Sequence, residues 1–179
     1  MMNKTAINIC QQPFQAARAW AWRGFTLIEL MVTIAVMAIL LMVAVPSFDN
    51  VALGGKLGAY ANNLVATMRL ARSEAIKRNA AVTVCVSNGG GCGSGGWEQG
   101  WIVQAVDGTL IQRQPALAAG FKLTGSEASL VFSPSGVGAT AASFTVCRAT
   151  PQMGWQERVV SISATGRPNV KKTTTGSCS

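Results

Sequence analysis

The sequence predicts an α+β protein: one long N-terminal helix, apolar all round in its first half and amphipathic in its second, packed on an antiparallel β-sheet domain. Three observations lead there. From Phe25 to Val45 the chain is an apolar run whose one charge is Glu29. From Ser47 to about Asn79 apolar residues recur at helical spacing. Beyond Asn79 the pattern changes to short β-branched runs parted by Gly, Ser and Pro. A helix followed by strands alone is the α+β order.

The apolar run, taken to Pro46, is the first element. Its uncharged stretch with Glu29, 21 residues long, spans about 31 Å at helical rise, against roughly 30 Å of hydrocarbon core. The segment can therefore cross a bilayer. An ionised acid there is disfavoured by roughly 2.5–3.5 kcal/mol at the helix centre and by less near an end, so Glu29 needs a partner or a purpose.

The second element, residues 47–79, places Leu57, Tyr60, Leu64, Met68, Ala71 and Ala75 on one helical face, with Asn62, Asn63, Arg69, Arg72, Lys77 and Arg78 largely between them. Pro46 is expected to kink the helix, and Gly54, Gly55 and Gly58 to loosen the stretch just beyond it.

Strand candidates follow at Ala81 to Val86, Gly100 to Val106, Leu110 to Arg113, Leu130 to Phe132, Phe144 to Cys147 and Arg158 to Ser163. Asp107 and Gly108 stand between two of them, as a tight hairpin requires. Residues 165–179 are polar and poor in apolar residues, which predicts a mobile tail unless Cys178 ties it back.

The chain of 179 residues carries a net charge of +8. From Gly54 onward 12 Lys and Arg stand against 5 Asp and Glu. That excess suits attraction to an anionic membrane surface, simple solubility, or a polyanion partner such as nucleic acid.

Cys10 lies before the apolar run, and Cys85, Cys92, Cys147 and Cys178 lie after it. An even number in an exported domain suggests disulfides, and four cysteines permit three connectivities. Cys85 with Cys92 and Cys147 with Cys178 is favoured, because each pair closes a segment with little core of its own. The two loops would contribute about 2.5 and about 3.7 kcal/mol in the chain-entropy account. Zinc is the rival, weakened by the lack of any histidine and of a C-x2-C pair.

Gly91, Gly93 and Gly96 form a literal G-x-G-x-x-G, but Trp97 to Trp101 then run toward another strand rather than opening a helix onto a pyrophosphate. No residue spacing assembles acid–base or nucleophilic chemistry, so neither an enzyme nor a cofactor is expected.

The segment from Arg23 to Pro46, RGFTLIELMVTIAVMAILLMVAVP, resembles the class III signal of type IV pilins and type II secretion pseudopilins. The resemblance implies a leader, residues 1–24, cut by a prepilin peptidase between Gly24 and Phe25. The new amine of Phe25 would be methylated, and Glu29 would pair with the terminal amine of a neighbouring subunit. An ordinary uncleaved anchor with an incidental acid is the plain alternative.

Three further segments resemble the GspH and FimT family of minor pilins and pseudopilins: LARSEAIKRN (Leu70 to Asn79), GWEQGWIV (Gly96 to Val103) and FSPSG (Phe132 to Gly136). Trp97 and Trp101 are then either platforms for stacked bases or, more commonly, buried sheet residues. In this family DNA-binding FimT proteins look to carry a Gly-Arg-x-Arg tail motif, and Gly166, Arg167 and Pro168 match its first three positions while Asn169 replaces the last arginine.

The resemblance thus implies a basic DNA-binding cluster of Arg167, Lys171, Lys172, Arg158 and Arg148. Contacts from Arg167, Lys171 and Lys172 to one phosphate each would give a log–log salt slope of about −2.7.

The expected protein is a FimT-like minor pilin, held in an inner membrane by a single span before joining a pilus with major and minor pilins. It would bind extracellular DNA for natural transformation. A GspH-like pseudopilin of type II secretion, or a pilin that primes assembly without binding DNA, are the alternatives. The domain from 80 to 179 is the expected β domain with its disulfide-tied basic tail.

Overall fold

The computed structural model describes residues 24–136, 141–151, 153–175 and 178. Residues 1–23, and with them the leader and Cys10, lie outside the described residues. The described chain falls into two compact units that part between Val43 and Ala44.

Helix α1 is Leu27–Arg78. It starts at Thr26, whose hydroxyl accepts a hydrogen bond from the Glu29 N–H at 3.3 Å. Thr26 and Glu29 have the T-x-x-E spacing of a capping box, and the Glu29 carboxylate sits in the first turn, where the helix dipole favours negative charge. The side chains from Phe25 to Val45 are all exposed, and the helix is long and apolar enough to cross a membrane. Such a surface needs an apolar surround that the described residues do not supply.

In the second unit the same helix turns to a stripe. Leu53, Leu57, Ala61, Leu64, Met68, Ala71 and Ala75 are buried at steps of three and four. The helix ends at Asn79, whose φ of 49° puts it in the left-handed region. The Ala80 N–H donates to Ala75 O at 3.2 Å and the Asn79 N–H to Ile76 O at 3.3 Å, the paired bonds of a Schellman cap with asparagine where glycine is usual.

Among the described residues eight strands follow, β1 Val82–Val86, β2 Trp101–Ala105, β3 Leu110–Gln114, β4 Phe121–Gly125, β5 Ser129–Phe132, β6 Ala142–Arg148, β7 Glu157–Ile162 and β8 Pro168–Thr173. They build two four-stranded antiparallel sheets, β3-β2-β1-β5 and β4-β6-β7-β8. One core joins both sheets to α1, with Val82, Val84, Trp101, Phe132, Leu123, Phe144, Val146 and Val160 against the helix stripe.

Two strands depart from the sequence reading. β4 and β8 were not expected, and β8 lies within the region, residues 165–179, read as a tail. β8 is an edge strand whose residues are exposed or half-buried, so its own composition carries no burial pattern. Its order comes from the ladder to β7, in which Pro168 pairs with Ile162 and Thr173 with Glu157. It also comes from the Thr173 hydroxyl donating to the buried Glu157 carboxylate at 3.1 Å. Cys147 is joined to Cys178 and Cys85 to Cys92, so the chain after β8 is fastened to β6.

The two tryptophans are core residues, and a base-stacking role for them is set aside. Trp97 and Trp101 are 3% and 1% exposed. The Trp97 indole N–H donates to Glu127 O at 2.8 Å and that of Trp101 to the Thr67 hydroxyl at 3.1 Å, which satisfies the polar atom of each buried ring. The glycine loop leads into a short 3-10 turn, Trp97–Gln99, and then β2, with no helix start to receive a phosphate.

Candidate nucleic-acid interface

β7 and β8 are joined by a tight turn that presents Arg167. The Gly166 N–H donates to Ser163 O at 2.8 Å and the Arg167 N–H to the Ser163 hydroxyl at 3.2 Å. Gly166 has a φ of 71°, a conformation open to glycine at no steric cost. The turn holds Arg167 beside the helix face that carries Arg69 and Arg72.

A groove of about 340 Å³ is lined by Arg69, Arg72, Ser73, Ile76, Gly166, Arg167 and Pro168. An adjoining one of about 690 Å³ shares Arg69, Arg167 and Pro168 and adds Asn62, Thr165 and Asn169. No carboxylate lines either groove. Three guanidinium groups therefore converge on one opening. Each can offer a fork of donors to a phosphate.

The FSPSG turn abuts the same place. Gly136 has a φ of 73°, and a Cβ there would lie 2.5 Å from Ile76 Cδ1 and 3.3 Å from Arg72 Nε. Its glycine is what lets the turn after β5 approach α1.

The next helical turn is electrostatically quieter. The Glu74 carboxylate accepts from Arg78 Nε at 2.8 Å and from Lys77 Nζ at 3.4 Å. These bonds, Arg78 first, hold the Glu74 carboxyl below its ordinary pKa. Asp107, in the β2–β3 hairpin, is also held low, chiefly by the hydrogen bond it accepts from the Thr109 N–H at 2.9 Å.

The other sequence-predicted residues do not join Arg167. Arg158 and Lys172 are cross-strand partners, and both line a separate cavity with Asn50, Val51, Gly54 and Gln156. The Arg158 guanidinium donates to Glu157 O at 3.0 Å and to Gly54 O at 3.3 Å. Lys171 is one residue along from Lys172 and so faces the opposite side of the sheet. Arg148 ends β6, partly buried, beside Gly154. Arg69 and Arg72 were missed as site residues because, in sequence, they belong only to the polar face of a helix. The signal that finds them is the return of the β7–β8 turn onto that face.

At the N-terminus the prokaryotic N-terminal methylation motif matches residues 23–45. The family described as Type II transport protein GspH matches residues 60–166, more than half of the chain.

The chain belongs to the GspH family.

Solved structures bear the same fold. The type IV minor pilin FimU of Pseudomonas aeruginosa is 21% identical, with 64% of this chain and 92% of that chain covered and a TM-score of 0.52. The minor pseudopilin EpsH from the Type 2 Secretion System of Vibrio cholerae is 14% identical, with 65% and 96% covered and a TM-score of 0.51. No curated protein matches the chain. As a minor pilin or pseudopilin of the GspH family, the protein is a structural component rather than an enzyme. It assembles with other pilins and is processed by a prepilin peptidase.

Proposed function

We propose that this GspH-family protein is a FimT-like minor pilin that binds DNA through the phosphate backbone. The observation that carries the reading is the convergence of Arg69, Arg72 and Arg167 on grooves free of lining carboxylates. Guanidinium groups there would displace condensed counterions and hold phosphates without reading sequence. Three contacts make weak binding, so several subunits or pili acting together would supply avidity.

In the same reading the peptidase cuts between Gly24 and Phe25, Phe25 is methylated, and Glu29 meets the terminal amine of a neighbour. Single-span anchoring in the inner membrane then precedes entry into the pilus, and captured extracellular DNA serves natural transformation.

The test is retardation of duplex DNA by the protein in neutral detergent micelles at several salt concentrations. The expected result is a log–log slope of about −2.7, from three phosphates. A variant with Ala at all three arginines that retards DNA as well as the parent would refute the assignment. The family's description as a type II transport protein favours a second reading, a minor pseudopilin that contacts only protein partners. Absence of any salt-dependent retardation is its signature.

A further inference from the structure

Residues Met153 to Gln156 carry an apolar surface that neither the fold nor the DNA reading uses. Met153 is 59% exposed and Trp155 61%, and Val51 on α1 is 72% exposed. The loop is firmly seated. The Trp155 indole N–H donates to Asn50 Oδ1 at 3.3 Å, Gln156 Nε2 donates to Asn50 O at 3.4 Å, and the Gly154 N–H donates to Arg148 O at 2.9 Å. Gly154 lies so close to α1 that a Cβ would stand 3.0 Å from Leu53 Cδ2. Next to this surface, Arg158 and Lys172 line the cavity that also holds Asn50 and Val51.

Apolar side chains, an indole with its polar edge satisfied and two cations form the composition of a surface that lies in lipid headgroups, where tryptophan and basic residues concentrate. Chain length bounds how far it can stand from the end of the apolar segment. Asn50 is five residues beyond Val45, about 7.5 Å at helical rise, and the headgroup layer is roughly 5–7 Å deep on each side.

We infer that the Met153–Trp155 loop, with Lys172 and Arg158, is a lipid-headgroup contact that rests the head on the membrane before assembly. The inference rests on Phe25–Val45 being a membrane span. Anionic headgroups are the partner that suits the two cations.

The test uses the full chain carrying Trp20→Phe and Trp22→Phe, in vesicles of phosphatidylcholine and phosphatidylglycerol brominated high on the acyl chains. Trp97 and Trp101 are buried, so quenching reports Trp155. The expected result is quenching that grows with the phosphatidylglycerol fraction, shrinks in Lys172→Gln, and is lost in Trp155→Phe, while all variants float with the vesicles. Flotation without Trp155 quenching would overturn the headgroup contact and leave the span intact. Quenching unaltered by Lys172→Gln and by lipid charge would overturn the anionic preference. Failure to float would overturn the span and the contact with it.

Discussion

The two ends of strand β8 carry similar charge and are built for different surfaces. At its start, Arg167 meets Arg69 and Arg72 around grooves whose apolar lining is Ile76, Val65, Pro168 and Val170. At its finish, Lys172 stands with Arg158 beside Val51, near the exposed Met153 and Trp155. Along α1 the two sites are 15 residues apart, from Gly54 to Arg69, about 22 Å at helical rise. That exceeds the Debye length of about 8 Å at physiological salt, so the ends act as separate electrostatic objects. The general lesson is that a basic tail read from sequence is not one site when it folds as a strand, because pairing sends its charges to different ends and faces.

The strongest way to break the comparison is to release the finish of β8. Cys178→Ser opens a disulfide with a sequence separation of 31, which in the chain-entropy account removes about 3.7 kcal/mol of stability. Thermal melts should show that loss. The β7–β8 ladder and the Arg167 turn lie within the loop that this bond closes but keep their own hydrogen bonds, so DNA retardation by the folded fraction should persist. Loss of retardation below the melting temperature would show that the two ends are coupled.

Next in size is the exchange of charges between ends. Replacing Arg69, Arg72 and Arg167 by Ala should remove binding that otherwise falls about 40-fold between 50 and 200 mM salt, the value for three phosphates. Replacing Lys172 and Arg158 by Gln should leave the slope unchanged. A slope that follows Lys172 instead would move the interface to the other end.

How much of this was legible in the sequence depends on whether a residue's role is local. The apolar span, the amphipathic stripe and the Asp107–Gly108 hairpin follow from spacing within a few residues, and the helix and six strands stand near where that spacing puts them. β8 does not, because residues such as Asn169 and Lys171 gain order only from their partners Ser161 and Val159. The same holds for Arg69 and Arg72. Their helical face was plain, but Arg167, almost a hundred positions later, gives them company only through the β7–β8 turn. Glu29 shows the reverse case, because its backbone N–H is capped by the Thr26 hydroxyl three residues before it, a local contact that its isolation among apolar residues obscured.

A smaller perturbation tests how the arginine groove is held. Gly136→Ala forces a side chain into a left-handed conformation, which disfavours an L-residue by roughly 1–2 kcal/mol, and drives its methyl against Ile76. The melt should fall by about that amount. Since Arg72 Nε is also a near neighbour of Gly136, DNA affinity should weaken as well, whereas Trp155 quenching by lipid should not change.

The smallest expected effect comes from Glu74, and it sharpens the contrast by changing charge without touching the groove. Its folded-state pKa is depressed by the hydrogen bond from Arg78 and the neighbouring Lys77. A depressed carboxyl stabilises the fold above its unfolded pKa and loses that contribution as pH falls through the folded value. Thermal stability should therefore decline on acidification below about pH 4, the ordinary glutamate range, and Glu74→Gln should flatten that decline. The pair is exposed, so the change in melting temperature is slight. At neutral pH the substitution also leaves Lys77 and Arg78 without their acid, one turn from Arg72 and Ser73. Binding of DNA at the Arg167 end should then tighten modestly and its salt slope steepen, while lipid contact at the Trp155 end stays as it was. An equal gain at both ends would mean that net charge, rather than the placement of three arginines, governs attraction to polyanions.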